Sequence, residues 1–127
     1  MSKKPIHPGE LIEPLILIPC GCSQSQLARQ LGFKQPQPVN ELIRGRRSIT
    51  AKMALLFERL TQSRYPAEFW LLAQLRWDLS MARDHLPPAR ASLVQPVELP
   101  ATTDRQSADT AALLHLATEL SQTLASS

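Results

Sequence analysis

From Cys22 to Phe33 the chain reads Cys-Ser-Gln-Ser-Gln-Leu-Ala-Arg-Gln-Leu-Gly-Phe, and after a short Gln/Pro-rich bridge Val39 to Arg47 reads Val-Asn-Glu-Leu-Ile-Arg-Gly-Arg-Arg. Ser23 is a good N-cap, Leu27, Ala28 and Leu31 share one face at helical spacing, and Gly32 can leave the helix at positive φ. A second helix follows almost at once. Val39, Leu42 and Ile43 form its narrow inward stripe, which leaves Gln37, Asn40, Glu41 and Arg44 facing outward. Two short helices joined by a tight turn make a helix-turn-helix, and its outward amides suit duplex DNA. Asn and Gln offer a donor and an acceptor together to adenine in the major groove.

Such a unit needs phosphate contacts beside its base contacts. Ser23 and Gln24 open the first helix, where free N–H groups and the dipole favour a phosphate. Lys34, Gln35, Gln37 and Asn40 lie in the bridge and the first turns of the second helix, where bases are read. Arg44, Arg46, Arg47 and Thr50 are placed to hold the backbone on the far side. Each has a plainer role open to it: Ser23 as a cap alone, Glu41 as partner of a neighbouring cation, Gln35 as a solvated loop residue. The charge pattern favours the DNA reading. Up to Leu86 there are 12 Lys and Arg against 7 Asp and Glu, beyond it 2 against 4, and no acidic residue falls between Leu42 and Phe57. Clustered cations release condensed counterions when they meet phosphates.

The rest of the chain reads as helical scaffold followed by a tail. A helix start at His7-Pro8-Gly9-Glu10 leads into Leu11, Ile12, Leu15, Ile16 and Ile18. An interior proline at Pro14 predicts that this helix is short, late in starting or kinked. Thr50 is the expected cap of a helix carrying Met53, Ala54, Leu56, Phe57 and Leu60; Thr61 to Tyr65 interrupt, and Pro66 opens another that ends near His85. Its apolar surplus at Phe69, Trp70, Leu72, Leu75, Trp77 and Leu79 predicts a dimer contact. The expected organisation is one domain over 1–86, a Pro-rich linker over 87–106 and a short amphipathic helix over 107–127, capped by Ser107 or Asp109 and carrying Leu113, Leu116 or Ala117, Leu120 and Leu124.

Other classes are disfavoured. Lys3 and Lys4 are followed by Pro5 rather than an apolar run, and no apolar segment is long enough to span a bilayer, so a cytoplasmic protein without membrane contact is expected. Cys20 and Cys22 lie too close in sequence for an unstrained disulfide and are expected to stay reduced as packing residues. With His7, His85 and His115 scattered, no metal or cofactor is expected. Phosphate-cradling Gly loops, paired metal histidines and a hydrolase elbow are all missing, which argues against an enzyme.

The order His7-Pro8-Gly9-Glu10, Ser23-Gln24-Ser25-Gln26-Leu27-Ala28, Asn40-Glu41-Leu42-Ile43-Arg44-Gly45-Arg46-Arg47, then Glu68-Phe69-Trp70-Leu71 with Asp78-Leu79, resembles the HigA family of bacterial antitoxins from Pro5 to about Arg83. The resemblance implies an all-α fold: a five-helix lambda-repressor-like domain, here with a Pro-rich linker and a short C-terminal helix. It implies a homodimer that binds its own double-stranded operator DNA and neutralises a RelE-like mRNA-cleaving toxin. Lys34-Gln35, Pro36 and Pro38, Pro14, Cys20 and Cys22 depart from the family pattern, and the segment after Pro87 has no counterpart in it. Two alternatives stand beside this reading: a solitary helix-turn-helix repressor without a toxin, and an interaction module that no longer meets DNA.

Overall fold

Pro14 sets the form of the first helical segment. In the computed structural model, which describes residues 5–100 and 108–125, Pro8–Leu11 is a 3-10 turn and Glu13–Leu17 is a π-helix with Pro14 in its first turn. Ile18–Cys20 (α1) continues it until Gly21, at φ 69°, turns the chain out in the left-handed region. Proline has no N–H to give to an α ladder, and the wider π winding, bonded to the fifth residue back, passes over the gap. Spacing changes with it. Ile12, Ile16 and Leu17 face the core at steps of four and five, being 0%, 7% and 8% exposed, while Ile18, expected among the inward residues, is 69% exposed.

Four α-helices follow: α2 Gln24–Gln30, α3 Gln37–Ile43, α4 Ala51–Leu60 and α5 Ala67–His85. Side chains define their ends. Ser23 Oγ accepts from the Gln26 N–H at 3.1 Å while Gln26 Oε1 accepts from the Ser23 N–H at 2.8 Å, a reciprocal capping box. Thr50 caps α4 by accepting from the Met53 N–H at 3.2 Å. The turn after α4 places Gln62 and Ser63 at positive φ, and the N-terminus of α5 is capped from across the fold, Glu58 Oε1 accepting from the Ala67 N–H at 3.0 Å.

These helices enclose one apolar core of Ile12, Leu27, Val39, Leu42, Ala54, Phe57 and Trp70, none more than 1% exposed. The Phe57 and Trp70 rings lie 4.8 Å apart, and Trp70 Nε1–H donates to the Tyr65 carbonyl at 3.2 Å, so the indole is buried without an orphaned donor. Truncating either aromatic would cost about 3–5 kcal/mol. Leu56, expected inward, is 38% exposed, since the core-facing turn of α4 is taken by Met53, Ala54 and Phe57.

The chain divides after Asp84 into two units. In the second, a short helix α6, Pro88–Ser92, forms within the stretch expected as linker, and α7 covers Ala108–Ala125. Asp109 lies in the first turn of α7, whereas Ser107, the other expected cap, lies outside the described residues, as does the side chain of Leu124. All described residues that belong to an element are helical, and no described helix is long and apolar enough to cross a membrane.

Candidate nucleic-acid interface

The residues expected to meet DNA come from α2, α3, the bridge between them and the loop that follows, and the fold brings four of them, Gln24, Gln35, Gln37 and Asn40, together. Ser23, Lys34, Gln35, Gln37, Arg44, Arg46, Arg47 and Thr50 are exposed, and Gln24 and Asn40 are half-buried. Gln24, Gln35, Gln37 and Asn40 line one open cleft of about 490 Å³. Beneath it, Leu27, Ala28, Val39 and Leu42 are buried, so the amide-bearing side of α3 is outward because its opposite side fills the core.

The polar groups of this surface are organised among themselves. Asn40 Nδ2 donates to Gln24 Oε1 at 3.1 Å, joining the two helices of the motif. Gln37 Nε2 donates to Glu41 Oε1 at 2.9 Å, and Arg47 donates to Glu41 Oε2, Nε at 3.1 Å and the terminal nitrogen at 2.9 Å. The hydrogen bonds from Gln37 and Arg47 hold the Glu41 carboxyl below its ordinary pKa, so it is an anion at neutral pH. Exposed pairs of this kind add little stability, but they order the Gln37 amide and the Arg47 guanidinium before any ligand arrives. Ser23 and Thr50 spend their hydroxyl acceptors on caps, which leaves their hydroxyl protons for a phosphate.

A second layer positions this surface, and the sequence pattern did not disclose it. Gln74, 6% exposed in α5, accepts from the Ile49 N–H at 2.7 Å and donates to Asp78 Oδ1 at 2.9 Å, which fastens the end of the basic loop to α5. A signal was present: Gln74 stands one helical turn beyond Trp70, a polar residue at a core position. His7 accepts from the Gly9 N–H through Nδ1 at 2.9 Å and meets the Trp77 ring edge-on at 5.5 Å. Its burial lowers the imidazole pKa, against the opposing pull of Glu10 and Asp78, and so favours the neutral ring that can accept that bond. Gly45, at φ 73°, lies over the same imidazole and turns the chain from α3 into the arginine loop.

The set expected to pair with a second copy needs one correction. Trp70 is 0% exposed and packed on Phe57, so it belongs to the core of its own chain. Phe69, Leu72, Trp77 and Leu79 are half-buried and Leu75 is 38% exposed, so these five keep surface on α5. Of the two cysteines expected as packing residues, Cys22 packs against the core, whereas Cys20 is exposed. Among the described residues no group of three or more His, Cys, Asp or Glu could hold a metal ion.

Comparison with known proteins places this architecture. No family model matches the sequence. The chain is 40% identical over 77 residues to virulence-associated protein I of Dichelobacter nodosus, covering 61% of this chain and 68% of that one. It superposes on the addiction module antidote protein of the HigA family from Coxiella burnetii with a TM-score of 0.64 and 32% identity, over 75% of this chain and all of the other. It also matches the Pseudomonas aeruginosa antitoxin HigA, solved with the higBA promoter, with a TM-score of 0.59 and 30% identity over 77% of this chain and 99% of that one. On these matches, this chain belongs to the HigA family of antitoxins.

Proposed function

We propose that this protein is a sequence-specific DNA-binding antitoxin without enzymatic activity, acting in the cytoplasm as a dimer that represses its own operon and neutralises a RelE-like, mRNA-cleaving toxin. The observation that carries the DNA reading is the α3 surface, where Gln37 and Asn40 lie outward and ordered beside Arg44, Arg46 and Arg47. Lys34, Gln35, Gln37 and Asn40 read base edges; the three arginines, Ser23, Gln24 and Thr50 grip phosphates. The related Pseudomonas antitoxin was solved with a promoter, which supports DNA binding by this chain.

Dimerisation gives that face its reach. Phe69, Leu72, Leu75, Trp77 and Leu79 supply the contact on α5, and two copies then place their reading helices about 34 Å apart, one turn of DNA, on an inverted repeat. Residues 1–86 form the five-helix DNA-binding and dimerisation domain, 87–106 the linker and 107–127 the terminal helix.

Co-expression with the neighbouring reading frame, followed by gel shift on DNA upstream of the gene, tests the proposal. A growth-inhibiting neighbour that is rescued by a stable complex, together with a salt-sensitive shift of the upstream fragment, is expected. A shift without any toxic neighbour would make the protein a solitary repressor, and a complex without a shift would make it an interaction module.

A further inference from the structure

Helix α3 carries a single acidic residue, Glu41, which the function proposed above leaves without a part in DNA recognition. It stands one helical turn beyond Gln37, and its two carboxyl oxygens have separate tasks. Oε2 accepts twice from Arg47, from Nε at 3.1 Å and from a terminal nitrogen at 2.9 Å. Oε1 accepts from Gln37 Nε2 at 2.9 Å. The bonds from Gln37 and Arg47 keep the carboxyl ionised at neutral pH. The guanidinium thus fixes the carboxylate, and the carboxylate fixes the amide.

A carboxylate accepts hydrogen bonds and gives none, so only the nitrogen end of the Gln37 amide can face it. Turning the amide over would set Gln37 Oε1 against an anion and lose a charge-assisted bond. The exposed Gln37 side chain therefore offers Oε1 as an acceptor, together with the remaining hydrogen of Nε2. In the major groove an acceptor beside a donor fits adenine, whose N6 amino group gives and whose N7 takes. Guanine presents acceptors at both O6 and N7, and cytosine offers its N4 amino group with no acceptor beside it. Asn40 is not constrained in this way. Its partner Gln24 is also an amide, and a bond between two amides forms with either one giving.

We infer that Glu41 is a positioning residue that determines base specificity: by locking the orientation of the Gln37 amide, it commits Gln37 to adenine and against guanine. Glu41 acts through Gln37 and not by contact with a base, and Arg47 enters base choice through Glu41. The inference rests on the DNA-binding reading proposed above.

The full-length protein selects bound duplexes from a randomised library, and a parallel selection with Gln37→Ala identifies the base pair whose preference Gln37 controls. In the wild-type selection that pair is expected to be A·T. Titrations then compare the selected duplex with one in which this pair is G·C. The wild type is expected to prefer the A·T duplex by about tenfold or more, the worth of one hydrogen bond to a charged group. Glu41→Gln keeps the size of the side chain but can give or take a bond, so the Gln37 amide is free to turn over. Its preference for A·T is expected to collapse as the G·C duplex gains, with a urea midpoint close to that of the wild type because exposed pairs add little stability. A G·C pair at the Gln37-controlled position, no position that responds to Gln37→Ala, or the wild-type preference retained by Glu41→Gln would each overturn the inference while the DNA-binding reading stands. A selection that enriches no sequence would overturn both.

Discussion

The α-carbon of Gly9 lies against the carbonyl oxygen of Leu42 so closely that an added Cβ would overlap that oxygen. Through this approach the 3-10 turn Pro8–Leu11 supports the C-terminal end of α3, the helix that carries Gln37 and Asn40. Both sides of the contact are backbone, so no rotamer change relieves it. Gly9→Ala is therefore expected to destabilise the fold by about 1–3 kcal/mol, more than the fraction of a kcal/mol that alanine gains by restricting the unfolded chain. Urea unfolding checks this, and a midpoint equal to that of the wild type would contradict it.

His7 makes stability pH-dependent. Burial lowers its pKa in the folded protein below the ordinary 6.5. Between the two values the unfolded chain carries more protons, so stability falls as pH drops through about 6.5 and levels off below the folded value. Glu41, with its pKa held below the ordinary value, loses its contribution only in stronger acid, outside the window from about pH 7 to 5. The urea midpoint of the wild type should decline across that window, and His7→Gln should flatten the decline.

Gln74 is expected to behave as a structural residue with a functional consequence. Gln74→Leu keeps the bulk but leaves the buried Ile49 N–H without its acceptor, a loss of about 1–3 kcal/mol. Hydrogen exchange at Ile49 should accelerate in the variant. Exchange as slow as in the wild type would show that the loop is held by other means.

The sequence disclosed the parts of this fold that depend on local chemistry. Ser23 and Thr50 announced their caps, Gly32 its positive φ of 91°, and Val39 and Leu42 the buried side of α3, because each signal is complete within one helical turn. What it concealed depends on contacts made across the fold. Ile18 faces solvent because Pro14 is accommodated by π winding, which moves the inward phase to Leu17. Trp70 belongs to the core rather than to a contact with a second copy because Phe57 covers it, and an apolar count cannot tell those two uses apart. Gln74 and His7 act through partners 25 and 70 positions away, Ile49 and Trp77, which no local pattern reveals.

Arg46 is exposed in the basic loop, and its expected role is to hold phosphate. Arg46→Ala should weaken binding to every DNA sequence alike and lower the salt dependence by about one phosphate. Titrations of operator and scrambled duplexes at several salt concentrations measure both effects. A change of base preference would instead place Arg46 in the groove.

Base reading by the outward amides of α3 is tested most directly by the affinities of the wild type, Gln37→Ala and Asn40→Ala for the upstream operator and for a scrambled duplex, at one salt concentration. Each variant should lose about 1–3 kcal/mol of discrimination between the two duplexes while its affinity for scrambled DNA stays close to that of the wild type. Discrimination left intact in both variants would contradict the assignment of base reading to this surface.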